Sequence, residues 1–190
     1  MTSGEGGMLT TNDDDVANFA RSFQNRGKDM NSSNESYVLP ARNVRMTEMT
    51  ALIGRVQLSH LDEFINRRRQ IVKIYIKELS NQEGCSVIYP EELKNSSFWK
   101  LPILLENEVD RKMIQESMNN AGIAVDRTYH PALHLQPIFK DLYGLSEGLL
   151  PITEDIMNRH LCLPCHPRIS DDEVIYISDI IKTVLNKSSH

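Results

Sequence analysis

The sequence predicts an α/β chain, in which a compact unit of short strands and helices follows one long helix and a polar leading segment. Three observations carry this. Apolar residues recur at helical spacing from about Thr47 to Ser80, strand-like runs after Gly84 alternate with capped helical runs, and the chain opens on a glycine turn with no strand before it.

Taken in order, Ser3-Gly4-Glu5-Gly6-Gly7 is a turn signal and Met8-Leu9-Thr10-Thr11 reads as a short strand. Asn12 is placed to cap a helix running towards Phe23, with Asp13, Asp14 and Asp15 meeting its free N–H groups and dipole. From Lys28 to Ser36 the chain is polar and rich in Asn and Ser, which predicts a mobile loop. The long helix is written by Met49, Leu52, Ile53, Val56, Leu61, Phe64, Ile65, Val72, Tyr75 and Leu79, and only Gly54 interrupts it. A helix of that length in so short a chain is expected to bridge two bodies or to pack against another subunit.

Beyond the stop at Asn81 to Gly84, Cys85 to Tyr89 and Phe98 to Leu105 read as strands. Asn107 is expected to cap a helix through Asn120, ended by Gly122, and Ile123-Ala124-Val125 to form a third strand. Ile152 to Arg159 reads as helical. Ser170-Asp171-Asp172-Glu173 is a capping box that opens a last helix through Leu185. The expected division is 1–40, 41–83 and 84–190.

Composition narrows the function classes. A chain of 190 residues with 40% apolar and 25% charged residues is an ordinary globular protein. Its formal net charge of -5 argues against a general nucleic-acid binder, since neutralising phosphates needs surplus Lys and Arg. No apolar run approaches the roughly 20 residues that span a bilayer. Three cysteines are an odd number, so a reducing, cytoplasmic setting is expected.

Four stretches, in this order and spacing, carry a family resemblance. They are Thr2-Ser3-Gly4-Glu5-Gly6-Gly7-Met8; Asn43-Val44-Arg45-Met46-Thr47 leading to Gln57-Leu58, Leu61-Asp62-Glu63-Phe64 and Arg67-Arg68; Tyr129-His130-Pro131-Ala132-Leu133-His134-Leu135-Gln136-Pro137; and Leu150-Pro151-Ile152-Thr153-Glu154 running to Leu163-Pro164-Cys165-His166-Pro167. Together they resemble the DegT/StrS-type sugar-nucleotide aminotransferases, fold-type I enzymes that use pyridoxal 5'-phosphate.

The resemblance implies a fold and a function. The chain would be the small C-terminal domain (84–190) of such an enzyme, with its connecting and interface helix (41–83) and a remnant of the large cofactor-binding domain (1–40). The parent would move an amino group from glutamate to a keto-sugar nucleotide, as a homodimer. In the family the cofactor-holding lysine lies just before the Gly-Glu-Gly-Gly turn, so it would fall upstream of Met1, and Lys28 is no substitute. This chain alone is then expected to hold no cofactor and to be inactive. It would work with a separate lysine-bearing half, or persist as a non-enzymatic dimerising or regulatory remnant.

Site residues follow position by position. Asn43 matches the family asparagine that reaches the cofactor phosphate of the neighbouring subunit, and Gly6 and Gly7 match the turn that brings backbone close to the cofactor. Arg45 is expected to support the site or meet an anionic substrate, and His134 to neighbour the substrate. The family usually reads Gly-Tyr-Asn-Tyr-Arg, where this chain has Ala41-Arg42-Asn43-Val44-Arg45, so two tyrosines are missing. Without the family, Asn43 and Arg45 read as polar residues at the start of the long helix, and His134 as a packing histidine. His160, Cys162, Cys165 and His166 have the residue types of a zinc or redox cluster. With no second Cys-x-x-Cys pair, and with an apolar strand at this place in the family, two buried free thiols are the better reading. Arg67-Arg68-Arg69 is expected to be a solvated helix face.

Overall fold

The structure, a computed structural model, describes residues 1–188. The chain forms two compact units, residues 1–62 and residues from 63 onward. This boundary lies within the expected long-helix span rather than at either of its ends.

In the first unit, α1 (Asp14–Gln24) is capped by Asp13, whose Oδ1 accepts the N–H groups of Asp15 and Val16 at 2.9 and 3.1 Å. The cap is thus one residue beyond the expected Asn12. The expected strand at Met8–Thr11 does not form. A strand needs a neighbour for its peptide groups, and Met8 and Leu9 are both exposed with no ladder. The 28–36 loop is closed by the bridge between Lys28 and Tyr37. Gly27 is required where it stands: its φ is +78°, and a Cβ there would lie 1.9 Å from Leu39 O, a backbone atom that cannot step aside. No large apolar side chain of this unit is buried among the described residues.

The long helix is in fact two. α2 (Glu48–Ser59) and α3 (Leu61–Leu79) are separated at His60, whose φ of -103° and ψ of 4° leave the helical region. Ser59 Oγ donates back to Val56 O at 2.8 Å, a local side-chain bond that competes with the helix ladder without any Pro or Gly. The halves differ in burial. α2 buries nothing, whereas α3 sinks Ile71, Val72, Tyr75 and Leu79 into the core.

The second unit holds that core around a three-stranded antiparallel sheet of order β1-β2-β3, formed by Cys85–Val87, Leu101–Leu105 and His160–Leu163. Leu101, Ile103 and Leu105 alternate into the core from β2 and pack with Ile114 and Met118 of α4 (Arg111–Asn120) and Val174, Ile177, Ile181 and Leu185 of α7 (Asp171–Ser188). The strand expected from Phe98 starts only at Leu101, because Phe98 has a φ of +48°. Likewise Asp110, not Asn107, caps α4.

The third strand is not Ile123–Val125. That segment gives its backbone groups to α4: Ile123 N–H bonds Met118 O at 3.0 Å, and Val125 O accepts Gln115 Nε2 at 3.3 Å. Only Asp126 reaches the sheet, through a bridge to Cys162. The place is taken by β3, where the family resemblance puts an apolar strand. Two short helices, α5 (Pro137–Tyr143) and α6 (Pro151–Arg159), each open on a proline. α7 opens on the expected capping box, Glu173 Oε2 taking Ser170 N–H at 2.8 Å and Ser170 Oγ taking Glu173 N–H at 3.2 Å.

Candidate functional site

In the first unit the Asn43–Thr47 segment is held by backbone. Arg26 N–H donates to Arg42 O at 2.9 Å and Val44 N–H to Gln24 O at 3.0 Å, which makes the antiparallel bridge between Asn25 and Asn43. Its side chains point to solvent, where Arg45 Nε donates to Asn43 Oδ1 at 3.1 Å. With its oxygen so engaged, Asn43 presents the amide Nδ2, a pure donor. The glycine turn lies against this segment. At Gly6, with φ +133°, a Cβ would come 2.7 Å from Met46 Cε, whereas one at Gly7 would meet nothing within 4 Å. Gly6 thus approaches the segment at the side chain of Met46, while Asn43 and Arg45 are bonded to each other.

His134 lies in the second unit and is nearly buried. It sits in a short 3₁₀ turn (Leu133–Leu135), and its Nε2 stands 2.8 Å from Glu154 Oε1. That carboxylate also accepts the N–H groups of Gly148 and Leu150. The Gly148 and His134 bonds hold its pKa below the usual glutamate value, backbone first. Glu154 was legible as part of a motif but carried no expected role.

The exposed histidine of the segment is His130. Its Nδ1 lies 2.6 Å from Arg127 Nη2, and burial together with Arg127 and Arg111 keeps its pKa low. Nothing in the sequence spacing singled out Arg127 or Arg111. Beside this segment, Trp99 tilts against Tyr129 at 6.2 Å between ring centres. Trp99 also edges an open groove of about 660 Å³ that runs past Lys100, Pro164 and Tyr176.

The arginine row corrects its expected role. Arg67 pairs with Asp171 at 2.7 Å and bonds Ile169 O; Arg68 Nη1 reaches Phe98 O at 2.9 Å and Cys165 O at 3.2 Å; Arg69 reaches Lys94 O at 2.6 Å and Ser96 O at 3.2 Å. All three are half-buried, because loops facing α3 expose carbonyls that need donors. The sulfur cluster resolves into separate contacts. Cys162 Sγ lies 3.2 Å from Thr128 Oγ1, Cys165 Sγ bonds Phe98 O at 3.2 Å, His160 Nδ1 lies 3.2 Å from Ile156 O, and His166 is exposed. All three cysteines are free and buried. No group of three metal-binding side chains occurs among the described residues.

Residues 1–182 match the DegT/DnrJ/EryC1/StrS aminotransferase family. The chain belongs to that family. Among its curated relatives, it is 31% identical to GDP-perosamine synthase of Escherichia coli O157:H7, over 95% of this chain and 48% of that protein. It is 33% identical to dTDP-4-dehydro-2,3,6-trideoxy-D-glucose 4-aminotransferase of Saccharopolyspora spinosa, over 94% of this chain and 48% of that one. Among solved structures, the PLP-form of Spr1654 from Streptococcus pneumoniae superposes with a TM-score of 0.83 at 27% identity, over 94% of this chain and 45% of that one. The chain thus spans about half the length of the relatives it matches. The α/β fold, with seven α-helices and a small three-stranded sheet among the described residues, is that of aminotransferases. No helix among the described residues is long and apolar enough to cross a membrane.

Proposed function

We propose that this DegT/DnrJ/EryC1/StrS chain supplies the small domain and the subunit-crossing phosphate contact of an aminotransferase that acts on a keto-sugar nucleotide. The observation that carries the reading is the Asn43–Arg45 pair, fixed by backbone and turned to solvent. An amide donor and a guanidinium, set beside a glycine turn, suit a phosphate monoester. Asn43 would donate to the phosphate of pyridoxal 5'-phosphate in a neighbouring subunit. Gly6 and Gly7 would let backbone approach, and Arg45 would orient Asn43 or meet an anionic substrate. When bound, the cofactor supplies the electron sink that lets an amino group pass from a donor such as glutamate to the keto sugar.

No lysine of this chain takes the cofactor in this reading. Lys28, the one lysine of the first unit, is placed by its bridge to Tyr37; Lys100 is paired with Asp126 and Lys182 with Glu78. A lysine-bearing large domain, on the parent chain or a separate half, completes the enzyme, and cytoplasmic sugar nucleotides are its substrates.

The test mixes the purified chain with pyridoxal 5'-phosphate, reduces with borohydride and reads intact mass. No stoichiometric adduct is expected, and one adduct at a single lysine would overturn the reading. A second reading, a dimerising remnant without catalytic role, is favoured by the bare apolar side chains of α2. The two separate on adding a lysine-bearing large domain, since only the enzyme reading restores glutamate-dependent amination.

A further inference from the structure

The sheet of the second unit is open along β1. Glu106 N–H donates to Gly84 O at 3.0 Å and Ile88 N–H to Pro102 O at 2.9 Å, with Ser86 opposite Leu104 between them. Antiparallel ladders alternate, so Gly84, Ser86 and Ile88 turn their peptide groups to β2, while Cys85 and Val87 turn theirs away from it. Those outward N–H and C=O groups have no hydrogen-bond partner among the described residues. Solvent would meet them on an exposed strand, but Cys85 is only 6% exposed. Buried peptide groups are almost always paired.

Beside this edge, between β1 and the end of α3, lies a cavity of about 210 Å³ lined by Ile76, Leu79, Ser80, Val87 and Tyr89. Side chains alternate along the strand, so Cys85 and Val87 face the core side on which α3 packs, and Ser86 faces solvent. Two exposed carboxylates, Glu83 and Glu106, stand at the Gly84 end of the ladder.

We propose that β1 is a docking edge for an extended peptide segment of another protein, one with apolar residues at alternate positions and a basic residue beside them. The segment's backbone completes the ladder with Cys85 and Val87. Directly opposed residues share a face, so the two that meet Cys85 and Val87 stand on the α3 side. Both must be apolar, and one of them fills the cavity. The residue between them faces solvent and is unrestricted. A Lys or Arg at the Gly84 end meets Glu83 and Glu106, in a chain whose net charge of -5 favours a cationic partner. Backbone bonds supply the affinity and the cavity supplies the selectivity.

The test titrates the 190-residue chain with the acetylated and amidated peptide KVTVK, following backbone amides by NMR. Saturable shifts at Val87 N–H are expected, with slowed exchange of the Cys85 and Val87 amides. The same peptide N-methylated on both valines cannot donate there and should bind about tenfold more weakly, the size of one lost hydrogen bond. Val87→Pro removes one outward N–H and leaves the bonds to β2 untouched, so that chain should fold and lose binding to a similar degree. No saturable binding, or equal binding of the N-methylated peptide or by the folded Val87→Pro chain, would overturn the docking edge. Amides of Cys85 and Val87 that are protected without peptide, and lose protection on dilution, would give the edge to a second copy and overturn it as well. The peptide EVTVE should bind more weakly than KVTVK, and equal binding would overturn the basic requirement.

Discussion

His134 Nε2 lies 2.8 Å from Glu154 Oε1, with side-chain exposures of 6% and 13%. Because Glu154 also takes the Gly148 and Leu150 N–H groups, one carboxylate joins the 3₁₀ turn at Leu133–Leu135 to the loop before α6 and to its start. His134→Ala should therefore lower the unfolding midpoint, through the lost bond and the space left by a buried ring. Urea unfolding checks this, and an unchanged midpoint would sink the joint.

The same pair sets an acid limb. Glu154 has a depressed pKa, chiefly from the Gly148 N–H and then from His134. A depressed carboxylate adds stability above its ordinary value of 4.5, and that stability is lost as pH falls through the lower folded value. Glu154→Gln should flatten this loss in melts taken below about pH 5. A limb that persists unchanged would place its origin in other carboxylates.

The three thiols should be silent until the chain unfolds. Cys85 is pushed up to about 11 by burial and by Glu106, and burial also raises Cys165. A disulfide reagent should find no free thiol in the native chain and three equivalents in denaturant. One equivalent in denaturant would mean a Cys162–Cys165 bridge, and with it a redox role.

Arg68→Lys should behave as a damaging change. The carbonyls of Phe98, Trp99 and Cys165 are all reached from Nη1 at the far end of the guanidinium, which the shorter lysine side chain does not match in reach or in planar geometry. The expected loss is about 2 kcal/mol, read by thermal or urea unfolding. A neutral outcome would restore the solvated-face reading of the arginine row.

α2 should drive self-association. Met49, Leu52, Ile53, Val56 and Leu58 are all exposed, and no residue of this helix is buried. Exposed apolar area of this kind is covered in a working assembly. Sedimentation should show dimers or larger species that Leu52→Glu with Val56→Glu reduces. A monodisperse wild-type monomer would count against it.

The sequence made some parts of this molecule readable and hid others for physical reasons. Local chemistry was legible: the Ser170–Glu173 box closes as its spacing predicts, and Asn43 and Arg45, two residues apart, are hydrogen-bonded to each other. Long-range chemistry was not. The helix period places Arg67–Arg69 on α3 but carries no record of the distant carbonyls they serve. β3 is buried at every residue, so it lacks the alternation that marks a half-buried strand. The break at His60 is flanked by neither Pro nor Gly, so the helix period runs through it unmarked. For His134 the sequence carried no signal of its Nε2 contact with Glu154, twenty residues further along the chain.

The arginine row has a mechanical meaning. Three adjacent side chains of α3 clasp three different stretches, around Ile169–Asp171, around Phe98–Trp99 with Cys165, and at Lys94–Ser96. Residues that are neighbours on one rod thus act as three guy-lines. A torque on α3 cannot stay in the helix, and it pulls all three anchor points together. The stiffness of this unit is then set at the shaft as well as in its oily interior, and loosening a single tether redistributes the strain onto the other two.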